Sequence, residues 1–190
     1  MTAKAFYDWQ TAGGGGDVTR AIAVLERLGV EWCVIGGIAV NHWAESPVVT
    51  ADVDMVIALE SVDAAVKALE AEGFTSERFP WSINLKGSSR VSIQISTEEM
   101  YREYPARSVP ADVWGILMRV ASLEDTLAGK IAAYSDLTRR PSKRQKDFLD
   151  ILRLAENHPK TIELLPQMLR AEVMEKINPA QPQSRSYFNE

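Results

Sequence analysis

Apolar positions recur at helical spacing in Ile22, Leu25 and Leu28, which predicts a helix that Asp17 or Thr19 can cap. The run "EWCVIGG" that follows is short, apolar and ended by glycine, the pattern of a buried strand. "GIAVNHWAE" then reads as a short helix stopped before Pro47. "ADVDMVIAL" alternates in its first half, with Val53, Met55 and Ile57 on one face and Asp52, Asp54 and Val56 on the other. "SVDAAVKALEAEG" is an amphipathic helix with Ser61 as N-cap and Gly73 at its stop. Two alternating runs joined by a glycine-containing turn, "WSINLKGSSRVSIQIST", predict a hairpin.

Past "SVPADVWGILMRVAS" the periodicity turns helical, over Ser122 to about Thr138, Ser142 to about Asn157 and Thr161 to about Ile177. Ser122 and Asp125 have the spacing of a capping box, with Asp in place of the usual Glu. These elements predict an α/β (α+β) fold: a small mixed sheet flanked by helices, followed by a C-terminal helical module. The corresponding boundaries are a core over 1–121, a helical module over 122–177 and a flexible, proline-broken polar tail over 178–190.

Composition narrows the picture. At 190 residues, 46% hydrophobic and 25% charged, the chain can bury a substantial core. A net charge of −5 argues against a broadly basic nucleic-acid-binding face. Cys33 is the single cysteine and sits in an apolar run, so a disulfide framework within one chain is excluded and a buried thiol is expected. No apolar run reaches the roughly 18 residues of a membrane span, and the first residues lack a signal-peptide core, so a cytoplasmic location is expected.

The chemistry concentrates in "VIGGIAVNHWAESPVVTADVDMVIALE". Asp52 and Asp54 leave the same face of a predicted strand with Cβ atoms about 6.5–7 Å apart. Two like charges so close in an apolar segment repel and resist desolvation, and a divalent cation relieves both effects. Mg²⁺ suits oxygen donors and is often shared with substrate phosphates. An edge strand whose polar face meets solvent is the competing reading. Gly36 and Gly37, between a strand and a helix, let backbone amides approach a phosphate, although a tight turn explains them too. Taken together, the pieces suit a nucleoside triphosphate carried on Mg²⁺. The earlier glycine tract lacks the Gly-Lys-Ser/Thr ending of a phosphate loop, since Asp17 follows Gly16, and reads as a flexible lead-in.

"GGIAVNHWAESPVVTADVDMVI" resembles the signature of the nucleotidyltransferase superfamily, whose core is similar to the DNA polymerase β palm, in its minimal, abortive-infection-toxin form. Gly36, Gly37, Asp52 and Asp54 match that pattern, and Thr50 stands where such proteins often carry Ser or Thr. "VASLEDTLAGKIAAYSDLTRRPSKRQKDFLDILRL" resembles the C-terminal helices of the same group. The resemblance implies Mg²⁺-dependent transfer of a nucleoside monophosphate from NTP to an acceptor hydroxyl on tRNA, a protein or a small molecule. It assigns catalysis to Asp52, Asp54 and Lys130, metal binding to Asp52 and Asp54, and nucleotide binding to Gly36, Gly37, Thr50 and Lys130. It also implies a toxin role with an antitoxin protein as partner.

Two positions depart from the pattern. The third carboxylate of such enzymes falls at Gln94, a poor general base, which leaves a catalytically impaired nucleotide-binding or interaction protein as the alternative. Glu98 and Glu99 are the nearest replacements in sequence. Val48 stands where an arginine is common. Independently of family, Lys130 falls on an apolar face with Leu123, Leu127, Tyr134 and Leu137, and Asp147 falls between Ile151 and Leu154. Each can supply the other's charge partner; alternatively Lys130 reaches triphosphate with Asp147 orienting it. "RRPSKRQK" is either a solvated loop or an electropositive rim for phosphate or RNA. His42 packs behind the diglycine helix or touches nucleotide, and Trp32, Trp43, Trp81 and Trp114 are expected in core or interface.

Overall fold

A computed structural model describes residues 15–44, 48, 50, 52–113 and 115–178. The expectations for the residues before Gly15, the Pro47 stop, Trp114 and the tail from 179 onward lie outside these. The chain divides into two compact units, Met1–Gly129 and Lys130–Glu190.

In the first unit, α1 (Gly15–Leu28) is followed by β1 (Trp32–Val34), α2 (Gly36–Trp43), β2 (Asp52–Ile57), α3 (Val62–Ala71), β3 (Thr75–Arg78), β4 (Ser82–Lys86) and β5 (Ser92–Ser96). A short turn of helix, α4 (Tyr104–Arg107), leads into β6 (Val109–Val113) and β7 (Ile116–Val120). The described strands form one mixed seven-stranded sheet in the order β3-β4-β5-β2-β1-β7-β6. β2 runs antiparallel to β1 and parallel to β5, while β4 and β5 form the expected antiparallel hairpin.

One face of this sheet is apolar for the reason the alternation gave. Val53, Met55 and Ile57 share a buried cluster with Ile83, Leu85, Ile93 and Ile95, and with Val18, Leu25, Val66 and Leu69 from α1 and α3. Each such side chain contributes roughly 1.5–3 kcal/mol when fully buried. The opposite face carries Asp52 and Asp54, and farther along β2 it closes over a smaller cluster of Cys33, Ile35, Val56, Tyr104 and Ala121. Burial, with Asp125 nearby, pushes the Cys33 thiol up to about 12, so it is an inert packing group.

Local details depart from the sequence expectation in instructive ways. The first helix takes up Gly15 and Gly16, so Asp17 is not its cap but lies inside its first turn. Leu28, expected on the buried face, is 41% exposed. Ser61 stands at the N-cap of α3 without a side-chain cap bond. Strands β3, β6 and β7 were not expected from the sequence: β3, at one edge of the sheet, carries polar residues on both sides, whereas β6 and β7 alternate in burial over only five residues each.

The second unit begins within α5 (Leu123–Ser135), continues in α6 (Pro141–Asn157) and ends in α7 (Gln167–Ile177). The single helix expected from Thr161 is divided: a 3₁₀ segment over Pro159–Leu164 precedes α7, and Pro166 marks the break. The capping box holds on one side, with the Asp125 N–H donating to Ser122 Oγ at 3.1 Å. The Asp125 carboxylate instead receives two bonds from the Arg107 guanidinium, at 2.8 and 3.0 Å.

Candidate active site at the diglycine bend

The bend after β1 is built around an absent side chain. Gly36 has φ +63, in the left-handed region that favours glycine, and a Cβ there would collide with the Asp54 carboxylate. Gly37 faces Thr50 less closely: a Cβ on it would stand 3.1 Å from Thr50 Oγ1, a tight contact rather than an overlap. The two glycines therefore bring backbone against the carboxylate and hydroxyl that the sequence places 13 or more positions later. Backbone pairing fixes the approach: the Ile35 N–H donates to the Asp54 carbonyl at 2.9 Å, next to the Val34–Met55 pair of the β1–β2 ladder.

Asp52 is exposed at the start of β2, whereas Asp54, one pleat further in, is half-buried. The connection entering β2 is pinned at two points. Asn41, 5% exposed, donates from Nδ2 to the Val48 carbonyl at 2.7 Å and accepts the Val48 N–H at 3.0 Å. The Thr50 hydroxyl donates to the Asp52 carbonyl at 3.1 Å. Val48, where the resemblance implies an arginine, serves through its backbone.

The register identifies what lies beside the carboxylates. β5 pairs in parallel with β2, setting Ser92 opposite Asp52 and Gln94 opposite Asp54. Gln94 thus occupies the position where the third carboxylate was sought. Glu98 and Glu99 follow the far end of β5, beside the end of β2 rather than its start, so neither replaces it. No group of three or more His, Cys, Asp or Glu able to hold a metal occurs among the described residues. Two carboxylates with a neighbouring amide oxygen are nonetheless hard oxygen donors, a set that fits Mg²⁺ shared with substrate phosphates.

His42 stacks edge-on against Trp43 with ring centroids 4.8 Å apart, and burial lowers its pKa, favouring the neutral imidazole. Trp43 donates from Nε1 to the Ala121 carbonyl at 2.9 Å, and Trp32 is 1% exposed. Trp81, by contrast, is 68% exposed, so of the two expected placements, core or interface, it does not take the core.

Lys130 belongs to the second unit, where it is 9% exposed. Its ammonium lies 3.0 Å from Asp147 and 2.7 Å from Asp150. Arg139 reaches the other oxygen of Asp147 at 2.9 Å, and Arg153 meets Asp150 at 3.0 Å. Burial alone would drag the Lys130 pKa down; Asp150 and Asp147 outweigh it and hold the value above that of an ordinary lysine. Sequence reasoning found the Lys130–Asp147 pair but missed Asp150, whose signal was its position three residues after Asp147 on one helix. Among the "RRPSKRQK" cations, Arg144 donates to the Tyr134 carbonyl at 2.7 Å, while Arg140, Lys143 and Lys146 are exposed.

With this geometry in place, comparison with protein families decides the relationship. A family described as nucleotidyl transferase AbiEii toxin, type IV toxin–antitoxin system, matches residues 20–189. The chain belongs to this family. Comparison with curated protein sequences gives no match. Among solved structures, the fold is similar to that of the antibiotic-resistance factor ANT(2'')-Ia in complex with adenylyl-2''-tobramycin. That similarity has 15% identity and a TM-score of 0.58 over 85% of this chain and 97% of the other. It is also similar to the lincomycin-bound lincosamide antibiotic adenylyltransferase LnuA, at 13% identity and TM-score 0.52 over 74% of this chain and 97% of the other. At these identities the likeness is one of fold. AbiEii-family membership is what connects the chain to a nucleotidyltransferase toxin. Among the described residues, no helix is long and apolar enough to cross a membrane.

Proposed function

We propose that the chain transfers a nucleoside monophosphate from an NTP to an acceptor hydroxyl, and that this transfer underlies its toxin role. The observation that carries the reading is the contact geometry at the bend: Gly36 lacks a Cβ where the Asp54 carboxylate stands, with Asp52 on the same strand face. Asp52 and Asp54 would hold Mg²⁺, which when bound supplies charge neutralisation and polarisation of the phosphates. The backbone at Gly36 and Gly37, opening α2, would seat the triphosphate, with Thr50 beside it. The acceptor oxygen then forms a bond to the α-phosphorus as the bond to the bridging oxygen breaks, and pyrophosphate leaves with the electron pair. The hydroxyl proton passes to water, because Gln94 can orient a hydroxyl but cannot take its proton. By the same family resemblance, Lys130 would offset charge on the phosphates.

The acceptor is a tRNA, a protein or a small molecule, with an antitoxin protein as the implied partner. The exposed cations Arg140, Lys143 and Lys146 favour a phosphate-bearing acceptor; the antibiotic-modifying structures of similar fold favour a small molecule. A second reading, an impaired nucleotide-binding protein of the same fold, is favoured by Gln94 standing beside Asp54. Incubation with each labelled NTP and Mg²⁺, with and without total RNA, separates the two when the chain is compared with Asp54→Ala. Transfer lost in the variant supports the enzyme. Mg²⁺-linked NTP binding without transfer supports the second reading, and no metal-dependent binding at all rejects both.

A further inference from the structure

The two aspartates of β2 are held by different means. On the β1 side, the ladder pairs Trp32 with Ile57, Cys33 with Val56 and Val34 with Met55. The Ile35 N–H then reaches the Asp54 carbonyl at 2.9 Å, and the Asp54 carboxylate stands against the bare backbone of Gly36. Asp52, two residues nearer the start of the strand, lies beyond that pairing and is exposed. Its strand partner is Ser92 of β5, on the other side.

On the β1 side the chain entering β2 is tied to α2 instead. Asn41 lies on that helix four residues after Gly37, one turn along, and is 5% exposed. Its amide serves a single residue twice: Nδ2 donates to the Val48 carbonyl at 2.7 Å, and Oδ1 accepts the Val48 N–H at 3.0 Å. Exchanging both bonds with one residue is what a neighbouring antiparallel strand does, so Asn41 takes the place of a strand that β1 is too short to supply. From there Thr50 passes the restraint on, its hydroxyl donating to the Asp52 carbonyl at 3.1 Å.

We infer that Asn41 is a positioning residue for the metal, fixing the entry to β2 so that Asp52 faces the same ion as Asp54. This rests on the reading in which Asp52 and Asp54 hold Mg²⁺, and deepens it by naming what sets the spacing of the pair. Leucine has nearly the volume of asparagine and neither hydrogen-bonding group; aspartate has no donor for the Val48 carbonyl and would set a charge against it. Without the amide, Asp52 is ordered only when the ion binds, and that ordering is subtracted from the affinity. Gly36 and Gly37 keep their own supports in β1 and Asp54, so the effect falls on the metal rather than on the nucleotide.

The test follows Mn²⁺, which takes the same oxygen donors as Mg²⁺, binding to the full chain without nucleotide, by electron paramagnetic resonance. Asn41→Leu is expected to weaken Mn²⁺ about tenfold and to raise the Mg²⁺ needed for half-maximal transfer by a similar factor. KM for NTP at saturating Mg²⁺ should stay within about twofold of wild type. Leu69→Ala, in the buried cluster on the opposite face of the sheet, controls for lost stability: it should lower Tm and leave Mn²⁺ affinity unchanged. Should Asn41→Leu fail to fold, Asn41→Ala is read in its place, with a smaller loss in the same direction because water can reach Val48. An Asn41 variant that folds and binds Mn²⁺ as wild type does overturns the inference, as does an equal loss of Mn²⁺ binding in Leu69→Ala. A wild-type chain that binds Mn²⁺ no better than Asp54→Ala would instead sink the metal reading itself, so the two failures are distinguishable.

Discussion

Gly36 is where a single atom decides the site. Its φ of +63 costs an L-residue about 1–2 kcal/mol, and a methyl group would also drive Asp54 out of place. Gly36→Ala is expected to lose Mg²⁺-dependent NTP binding and to lower the unfolding free energy by at least that amount, read by calorimetric titration and urea melts. A Gly36→Ala chain that binds as wild type would show that the bend is only a turn. Gln94 gives the complementary experiment. Gln94→Glu puts a third carboxylate beside Asp54, so the Mg²⁺ concentration for half-maximal transfer should fall, measured by titrating Mg²⁺ at saturating NTP. The glycines and the aspartates were legible in the sequence because their chemistry is local: a diglycine after a strand, two acids one residue apart. Asn41 was not, because nothing in "AVNHW" distinguishes a surface amide from one buried against the backbone of Val48.

Among the elements, the β4–β5 hairpin is held from outside itself. Asp17, 4% exposed in the first turn of α1, accepts the Ser89 N–H at 2.7 Å and the Ser88 hydroxyl at 3.1 Å, and pairs with Arg20 at 2.8 Å. Burial raises its pKa, but the bonds from Ser89 and Ser88 outweigh this and leave it below the ordinary value. A depressed carboxylate stabilises the fold fully above the unfolded value of about 3.9 and ceases to do so as pH falls through the folded value. Asp17→Asn should therefore melt below wild type near neutral pH, with the gap closing in acid; a gap independent of pH would refute the assignment. The sequence predicted this helix and this hairpin, yet offered Asp17 only as one of two possible caps, with Thr19, because a contact spanning 71 positions leaves no local trace.

Over the whole chain, charge is unevenly divided. Residues 1–129 hold 18 acidic and 10 basic side chains, while 130–178 hold 7 acidic and 10 basic. If RNA is the acceptor, alanine at Arg140, Lys143 and Lys146 together should weaken transfer and flatten its salt dependence without changing NTP affinity. Within the second unit, Lys130→Met removes the ammonium shared by Asp147 and Asp150, each of which keeps an arginine, and should cost about 1.5–3 kcal/mol in urea unfolding. The raised Lys130 pKa means its contribution is complete below the unfolded lysine value of about 10.4 and is lost as pH rises through the folded value.

The sequence by itself determined most of the helices, the strands β1, β2, β4 and β5, where the chain can bend, and which acids share a strand face. Those follow from periods of two and 3.6 residues and from the backbone freedom of glycine, all properties of near neighbours. Only the tertiary structure decided that Gln94 stands against Asp54, that Asn41 clamps Val48, and that Asp150 joins Lys130. Strand order and register are chosen by the burial of the whole apolar face at once, and that selection is not written in any single segment.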